Sequence, residues 1–434
     1  MENAQKTAEV KAPPTVNSGK QLALLISACA VSFLEMFDFT VYSFFAVIIG
    51  QVFFAAQDKF MGLLVAVSVF GLGFFMRPLG SVIIGGYADR YGRKAAMLLT
   101  VVLISVGSLL IALTPDYSVL GIYSSILIIF GRLVQGFAVG GESGAALSLL
   151  LESCNRDRRG FFLSWQYIGQ GLSTLLGASL AFLLTHYLTE QQLHAWGWRV
   201  PFFFILLILP LALYLRMNIT ESLKIEEQRR NQEQDYPFFR LWREEGWKTF
   251  LAIISILPTT ALVYTLSFFM PHYLPLVTHI EAGNTFLITI YASVLSITFN
   301  YLSGKICDHL EQRKKLLLWL VVIAAISSYF TFYFVHTFVL FIFFYTIAVI
   351  MFSLLMTASS VFVVESFPKP IRATACGVTY ALGVAIFGGT SNPIVAGLLK
   401  ISHGAVMAPF WYLAVALTIG FVCFAIYPEE RHAK

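Results

Sequence analysis

Two apolar stretches of the sequence contain charged side chains that could exchange protons or bind a charged solute. In the first, Glu35, Asp38 and Tyr42 recur at spacings that share one face of a helix. The second contains Arg132 and Gln135. Because an ionised group in apolar surroundings is costly, we expect Glu35 and Asp38 to face Arg132. Two interpretations remain open: one acid exchanges a proton, or the charges form a static ion pair that fixes helix packing.

A third acid, Glu142, follows glycines at positions 136 and 140 and precedes another at position 144. Glycines spaced four residues apart let two helices approach closely. Packing explains the glycines, but Glu142 needs a polar partner or a water-filled cavity, and both remain open. Other polar candidates for the same site are Gln166, Tyr264, Tyr380 and Asn392.

Helix-breaking residues are concentrated in two apolar stretches of the second half of the chain. One contains Pro258, Pro271 and Pro275, and the other contains Gly383, Gly388, Gly389 and Asn392-Pro393. A proline inside a helix removes a backbone hydrogen bond, so a carbonyl group must find another partner. Bending for gating and simple kinking to fit neighbouring helices explain these residues equally well.

The elements that carry these residues are predicted to be membrane-spanning helices. The 434 residues are 58% hydrophobic and 12% charged, whereas soluble proteins carry roughly 25% charged residues. A span needs about 20 apolar residues. Twelve segments fit, near 22–50, 60–86, 94–114, 119–151, 160–186, 199–217, 249–276, 284–304, 315–334, 337–364, 372–398 and 405–427.

The distribution of positive charge predicts that both termini are cytoplasmic. Most of the 29 Lys and Arg residues fall in the tails and in alternate loops, and such residues favour the cytoplasmic side. The predicted outer loops 115–118, 277–283 and 335–338 contain none. Residues 1–20 are polar and are predicted to be a disordered tail without the apolar core of a signal peptide.

Two motifs occur once in each half of the chain. Residues 85–94, Gly-Gly-Tyr-Ala-Asp-Arg-Tyr-Gly-Arg-Lys, have a weaker copy around Gly304, Asp308 and Arg313. Glu152 precedes Arg159 by the same spacing by which Glu365 precedes Arg372. These repeats predict two related six-helix bundles, residues 21–217 and 249–427, joined by a charged cytoplasmic linker at 218–248 and followed by a short tail at 428–434. Such halves move around a central site.

The first copy of this motif resembles the loop between helices two and three of the major facilitator superfamily. The chain also resembles the metabolite:proton symporter branch, which transports proline and betaine, α-ketoglutarate, citrate or shikimate. The matching stretches are Arg77-Pro-Leu-Gly80, Arg132-Leu-Val-Gln-Gly136, Trp196-Gly-Trp-Arg-Val-Pro201, Glu365-Ser-Phe-Pro368 and Ala385-Ile-Phe-Gly-Gly389. The chain departs from the branch at Val31-Ser32 and Met36, near the presumed site.

The resemblance implies an all-α membrane protein with the major facilitator fold. It also implies that Asp89 lies against the N-terminal end of a helix in the opposite half, where unpaired amides and the helix dipole favour a carboxylate. The residues that we assign to the gate on these grounds are Gly85, Asp89, Arg90, Arg93, Glu152, Arg159, Asp308, Glu365 and Arg372.

The function expected from these features is proton-driven import of a small polar metabolite across a bacterial inner membrane. One buried Arg132 suits one carboxylate, and the nearby acids suit an ammonium, which favours a zwitterion or a small carboxylate. Export by proton antiport and a non-transporting membrane sensor are the alternatives. No nucleotide-binding loop, nucleophile cluster, metal site or cofactor motif is found in the sequence. We therefore expect a monomeric transporter that works without a cofactor and without nucleic acid, and not an enzyme.

Overall fold

The computed structural model describes residues 18–54, 59–91, 93–140, 156–205, 237–278, 280–310 and 312–428. Within these ranges the chain forms helices joined by short connections, and it has no strand. The all-α class predicted from composition is therefore confirmed. We call residues 18–205 the N-terminal half and residues 237–428 the C-terminal half.

The helices of the N-terminal half run through most of its length. They are α1 (Ser18–Phe44), α2 (Ala46–Phe53), α3 (Lys59–Phe75), α4 (Arg77–Tyr91), α5 (Arg93–Leu113), α6 (Tyr117–Leu120), α7 (Ile122–Gly140), α8 (Arg159–Tyr187) and α9 (Glu190–Ala195). The axes of α1 and α2 differ by 64° across Phe45. Short 3-10 turns precede α8 and follow α9.

The C-terminal half continues the same all-helical pattern. Its helices are α10 (Pro237–Ile254), α11 (Leu257–Val263), α12 (Met270–Val277), α13 (Ala282–His309), α14 (Arg313–Tyr333), α15 (Phe338–Ser366), α16 (Lys369–Gly383), α17 (Gly389–Ile401) and α18 (Ala408–Ile426). The separation of α14 from α15 agrees with the boundary predicted near residues 334–338.

Nine helices within the described ranges are long and apolar enough to cross a membrane. The bent pair α1 and α2 makes a tenth if the two helices count as one span, and Leu98–Leu113 is a shorter apolar helix. Most of the sixth predicted span lies at residues 206–217, outside the described residues. The count of twelve spans and the cytoplasmic position of the termini therefore stay predictions.

Two stretches expected to be connections are helical in the structure. Helix α4 continues through the predicted loop after Gly85 as far as Tyr91, and α5 begins at Arg93. Helix α10 begins at Pro237, within the predicted linker 218–248. A helix satisfies its own backbone hydrogen bonds, so it can extend beyond the apolar layer while its charged side chains are solvated.

The two stretches rich in proline and glycine each contain a wide helical turn. Residues Tyr264–Phe269 between α11 and α12, and Val384–Gly388 between α16 and α17, form π-helices. Pro258 and Pro271 lie in the first turns of α11 and α12. Such turns occur often at functional sites. Here each π-helix joins two consecutive helices of the C-terminal half.

The predicted glycine contacts of α7 bring it very close to α3 and α4. A Cβ added at Gly136 would collide with the carbonyl oxygen of Gly73, and one at Gly140 with the carbonyl oxygen of Arg77. The reciprocal contact places Gly80 against the carbonyl oxygen of Phe137. This approach, which requires residues without side chains, holds the backbone of Arg77 directly against α7.

We expect Gly136→Ala to lower the stability of the protein, because a methyl group there overlaps the backbone of α3. Overpacking of this kind costs about 1–3 kcal/mol, which a melting curve in detergent will show. The matched control is Gly397→Ala, since nothing lies within 4 Å of a Cβ at that position. An unchanged melting temperature for Gly136→Ala would show that the α3–α7 contact is looser than described.

Candidate functional site

Asp38 is held by three hydrogen-bond donors inside the N-terminal half. Its Oδ1 accepts from Ser108 Oγ at 2.7 Å and from Gln135 Nε2 at 2.5 Å, and its Oδ2 accepts from Arg132 Nη1 at 3.0 Å. Arg132 Nη1 also donates to Gln135 Oε1 at 2.7 Å. Asp38 and Arg132 are almost completely buried. The carboxylate is therefore fully paired, in the arrangement that makes a buried charge tolerable.

The second acid of α1 pairs with a different arginine from the one predicted. Arg77 Nη1 lies 3.7 Å from Glu35 Oε1, and both side chains are buried. Glu35 was expected to face Arg132, and the structure places it against Arg77 instead. Successive helical residues turn by 100°, so residues 35 and 38 point roughly 60° apart and reach different helices. The sequence signal was available, since Arg77 is also a charge within an apolar stretch.

Phe39 connects the two ion pairs. The guanidinium of Arg77 lies 4.8 Å from the centre of the Phe39 ring, and that of Arg132 lies 4.5 Å from it. Arg77 also lies over Phe74 at 4.3 Å and Arg132 over Tyr42 at 4.3 Å. These aromatic rings exclude water and attract the cations through their faces. Tyr42 thus contributes to the arginine site by its ring, and its buried hydroxyl has no hydrogen-bond partner among the described residues.

A cavity lies between the two halves. Its N-terminal wall includes Met36, Tyr167 and Gln170, and its C-terminal wall includes Tyr264 and Tyr380. The other described residues on the wall are Ser255, Ile256, Thr259, Thr260, Val263, Met356, Ser359, Ser360, Val363, Val364, Cys376, Thr379 and Val384. A smaller cavity shares Met36, Tyr167, Gln170, Val263 and Met356 and extends to Ser267, Ser296 and Asn300. No described residue on either wall carries a formal charge.

The Glu35–Arg77 pair is the one that lies close to this cavity. Tyr264 and Tyr380 line it, and the Tyr264 ring lies 5.7 Å from that of Phe74, over which the Arg77 guanidinium lies. Met36, the residue after Glu35, lines both cavities. By contrast, the Asp38 network is enclosed by α5, α7 and the rings of α1 and α3.

The remaining predicted site residues either do not line the described cavities or lie outside the described residues. Gln166 is buried but does not line the described cavity, whereas its neighbours Tyr167 and Gln170 do. Asn392 is buried in α17, and neither side-chain amide atom has a partner among the described residues. Glu142 lies outside the described residues. Tyr167, Gln170 and Thr379 were missed because helical periodicity alone does not show which polar side chain faces a cavity.

At one end of the molecule the two halves are joined through the start of α8. The carboxylate of Asp308 accepts hydrogen bonds from the backbone amides of Gly160 at 2.7 Å and Phe161 at 3.0 Å. These amides lie in the first turn of α8, where N–H groups lack helical partners and the dipole favours an anion. We call this end, predicted to be cytoplasmic, the inner end.

Close backbone approach and ion pairs support this contact. A Cβ on Gly160 would collide with the carbonyl oxygen of Gly304. Arg159 of the N-terminal half lies 3.6 Å from Glu365 of the C-terminal half. Glu365 also pairs with Arg313, which donates to the carbonyl oxygen of Cys307 at 3.0 Å.

The structure describes the side chains of only some of the other predicted gate residues. Arg372 donates from Nε to the carbonyl oxygen of Phe367 at 3.0 Å. Gly85 and the backbones of Asp89 and Arg90 belong to α4, and Arg93 begins α5, but the side chains of Asp89, Arg90 and Arg93 are outside the description. Glu152 lies outside the described residues. The gate role of these residues stays a prediction.

Toward the opposite end a histidine joins the halves. Nε2 of His272 lies 2.6 Å from the carbonyl oxygen of Ser43, just before the bend between α1 and α2. The His272 side chain is buried.

Known proteins with similar sequences are bacterial transporters. A citrate-proton symporter of Klebsiella pneumoniae is 27% identical over 95% of this chain and 93% of its own length. An alpha-ketoglutarate permease of Escherichia coli K12 is 29% identical over 93% of both chains. A proline/betaine transporter of the same strain is 29% identical over 94% of this chain and 83% of its own length.

Solved structures show the same fold. A D-xylose-proton symporter superimposes with a TM-score of 0.75 at 18% identity, covering 95% of this chain and 99% of that one. A partially occluded, inward-open structure of the xylose transporter XylE from E. coli gives a TM-score of 0.77 at 18% identity, covering 96% and 100%. A family model described as Major Facilitator Superfamily matches residues 28–313 and 277–434. The chain therefore belongs to the Major Facilitator Superfamily.

Proposed function

We propose that this protein imports a small polar metabolite together with protons across a bacterial inner membrane. The observation that carries the proposal is the position of the Glu35–Arg77 pair beside a cavity that both halves line. A carboxylate that can gain or lose a proton next to a solute site is what coupling requires. The named relatives include a citrate-proton symporter, which supports coupling to protons.

The architecture that we propose follows the two repeats in the sequence. Two six-helix bundles, residues 21–217 and 249–427, move against each other around the cavity, with the linker 218–248 and both tails in the cytoplasm. The contacts of Asp308 with α8 and of Arg159 with Glu365 close the inner end. Because one chain supplies both walls of the cavity, a monomer suffices for transport. Asp89 would form the counterpart of the Asp308 contact.

Uptake into proteoliposomes should rise as the external pH falls and should collapse when a protonophore is added. A pH difference of one unit is worth about 1.4 kcal/mol per proton, so coupling to one proton gives roughly tenfold accumulation. The measurement is uptake of radiolabelled solutes with and without the pH difference.

Three other outcomes would contradict this assignment. Uptake driven by sodium at equal pH would exclude proton coupling. Solute leaving the vesicles as protons enter would indicate an antiport exporter. Solute binding without flux in either direction would favour a membrane sensor.

A further inference from the structure

The two buried ion pairs differ in how well the arginine and the acid are matched. Asp38 accepts from Ser108, Arg132 and Gln135, all within 3.0 Å. Arg77 Nη1 lies 3.7 Å from Glu35 Oε1, which is an ion-pair distance but is too long for a hydrogen bond. The Asp38–Arg132 pair therefore includes a direct hydrogen bond, whereas Arg77 Nη1 and Glu35 Oε1 lie at an ion-pair distance.

Arg77 also has hydrogen-bonding capacity that the described residues do not use. Its Nε and Nη2 are buried and have no partner among them. The same atoms of Arg132 are unpaired, but the rings of Phe39, Tyr42 and Phe70 surround that guanidinium. Buried polar groups normally have partners, and a guanidinium edge with two free donors matches a carboxylate in a bidentate contact.

Two further unpaired donors lie on the cavity wall. Gln170 Nε2, from the N-terminal half, and Thr379 Oγ1, from the C-terminal half, are buried and have no partner among the described residues. Their side chains are 8% and 2% exposed. Donors on opposite walls suit a solute that carries acceptor oxygens and touches both halves.

We propose that Arg77 binds the carboxylate of the transported solute and that Glu35 is the acid that carries the proton. This inference rests on the proposed function and assigns its substrate class: a small solute with a single carboxylate. A second carboxylate would face a cavity wall on which no described residue is a cation. Burying an unpaired charge in this way is strongly unfavourable.

The same geometry links the solute to the proton. When the solute carboxylate binds Arg77, Glu35 loses the attraction of that cation, and this loss favours the neutral, protonated form of a buried acid. Glu35 therefore takes one proton from the external side as the solute binds. When the solute leaves on the inside, Arg77 returns to Glu35 and the proton is released to the cytoplasm. One proton moves with each solute, and Asp38 keeps its charge throughout.

The test measures ligand-dependent melting of the purified full-length protein in detergent. The probes are glycine betaine and proline as zwitterions, lactate as a monocarboxylate, and α-ketoglutarate and citrate as acids with two and three carboxylates. We expect at least one of the single-carboxylate probes, glycine betaine, proline or lactate, to raise the melting temperature. We expect neither α-ketoglutarate nor citrate to do so. Comparing the affinity for the zwitterions with the affinity for lactate then shows whether the solute is a zwitterion or a monocarboxylate.

Variants distinguish an Arg77 that binds the solute carboxylate from an Arg77 that only forms a structural ion pair with Glu35. Arg77→Gln should weaken binding roughly 10- to 100-fold, through loss of charge-assisted hydrogen bonds. The single variant removes the cation that Glu35 pairs with and can therefore misfold. The decisive variant combines Arg77→Gln with Glu35→Gln, because it has no buried charge at this position. Glu35→Gln alone should bind as tightly as the wild type or more tightly, and its affinity should no longer depend on pH. Arg199→Gln is the control, because Arg199 pairs with Asp116 away from the cavity.

The inference fails if the double variant binds like the wild type, if citrate or α-ketoglutarate binds best, or if no single-carboxylate probe binds. Failure of the proposed function gives a different pattern. In that case the wild type binds a single-carboxylate probe through Arg77 but does not accumulate it in proteoliposomes under a pH difference.

Discussion

Arg132→Met should lower the stability of the protein strongly and reduce uptake through the loss of folded protein. The substitution keeps a long side chain against Phe39 and Tyr42 but removes the cation that pairs with Asp38 at 3.0 Å. Deleting one partner of a buried ion pair costs about 3–5 kcal/mol, because the other charge is left uncompensated. Ser108 and Gln135 still donate to Asp38, so the loss should lie toward the lower part of that range.

The pH of the measurement should change the size of this effect. A protonated Asp38 carries no charge, so Arg132→Met should be less destabilised at mildly acidic pH than at neutral pH. Melting curves of the wild type and the variant at both values measure the difference.

The control is the double variant Asp38→Asn with Arg132→Met. The introduced asparagine side chain would retain an oxygen that accepts from Ser108 and Gln135, and no buried charge would remain at this position. We expect it to recover most of the lost stability, since replacing a whole buried pair is often nearly neutral. If the single and the double variant melt at the same temperature, Asp38 and Arg132 are not coupled. Concentrative uptake by a stable double variant would show that this pair is structural, as the assignment of the proton to Glu35 requires.

The sequence predicted the all-helical membrane fold and the presence of buried acid–arginine pairs, because both follow from local composition and spacing. It also placed Tyr264 and Tyr380 among the candidates, and both line the cavity. Family membership could be predicted from the motif at Gly85 because its glycines, acid and bases recur at fixed spacing.

The partners of each charge could not be predicted in the same way. Counting residues along a helix gives the depth of Glu35, but its direction decides whether Arg77 or Arg132 is the partner. That direction depends on the close approach of α7 to α3 and α4, which a sequence pattern does not specify. The cavity donors Gln170 and Thr379 were missed for the same reason, since helical spacing does not show which face of α8 or α16 borders the cavity.

The second large effect is expected at the inner end, from Asp308→Asn. The carboxylate of Asp308 accepts from the amides of Gly160 and Phe161 in the other half of the molecule. An asparagine keeps the shape but loses the charge that the helix dipole of α8 favours. In the proposed gate this contact forms and breaks in every cycle. We therefore expect uptake to fall roughly tenfold or more, since a loss of about 1.4 kcal/mol changes the balance between conformations tenfold. Ligand binding should remain, as Asp308 lies away from the described cavity.

A buried cysteine beside this contact reports the opening directly. Cys307 is completely buried, and its Cβ would lie 3.1 Å from a Cβ added at Gly160. In a protein that retains Cys307 as its sole cysteine, a maleimide should react faster after Asp308→Asn than before it, because the inner end opens more often. The matched control is Asp116→Asn, which weakens an ion pair with Arg199 inside the N-terminal half and should change neither uptake nor the reactivity of Cys307. If Asp308→Asn transports at the wild-type rate and Cys307 remains equally protected, the contact with α8 is not a gate, and Arg159 with Glu365 becomes the pair to test.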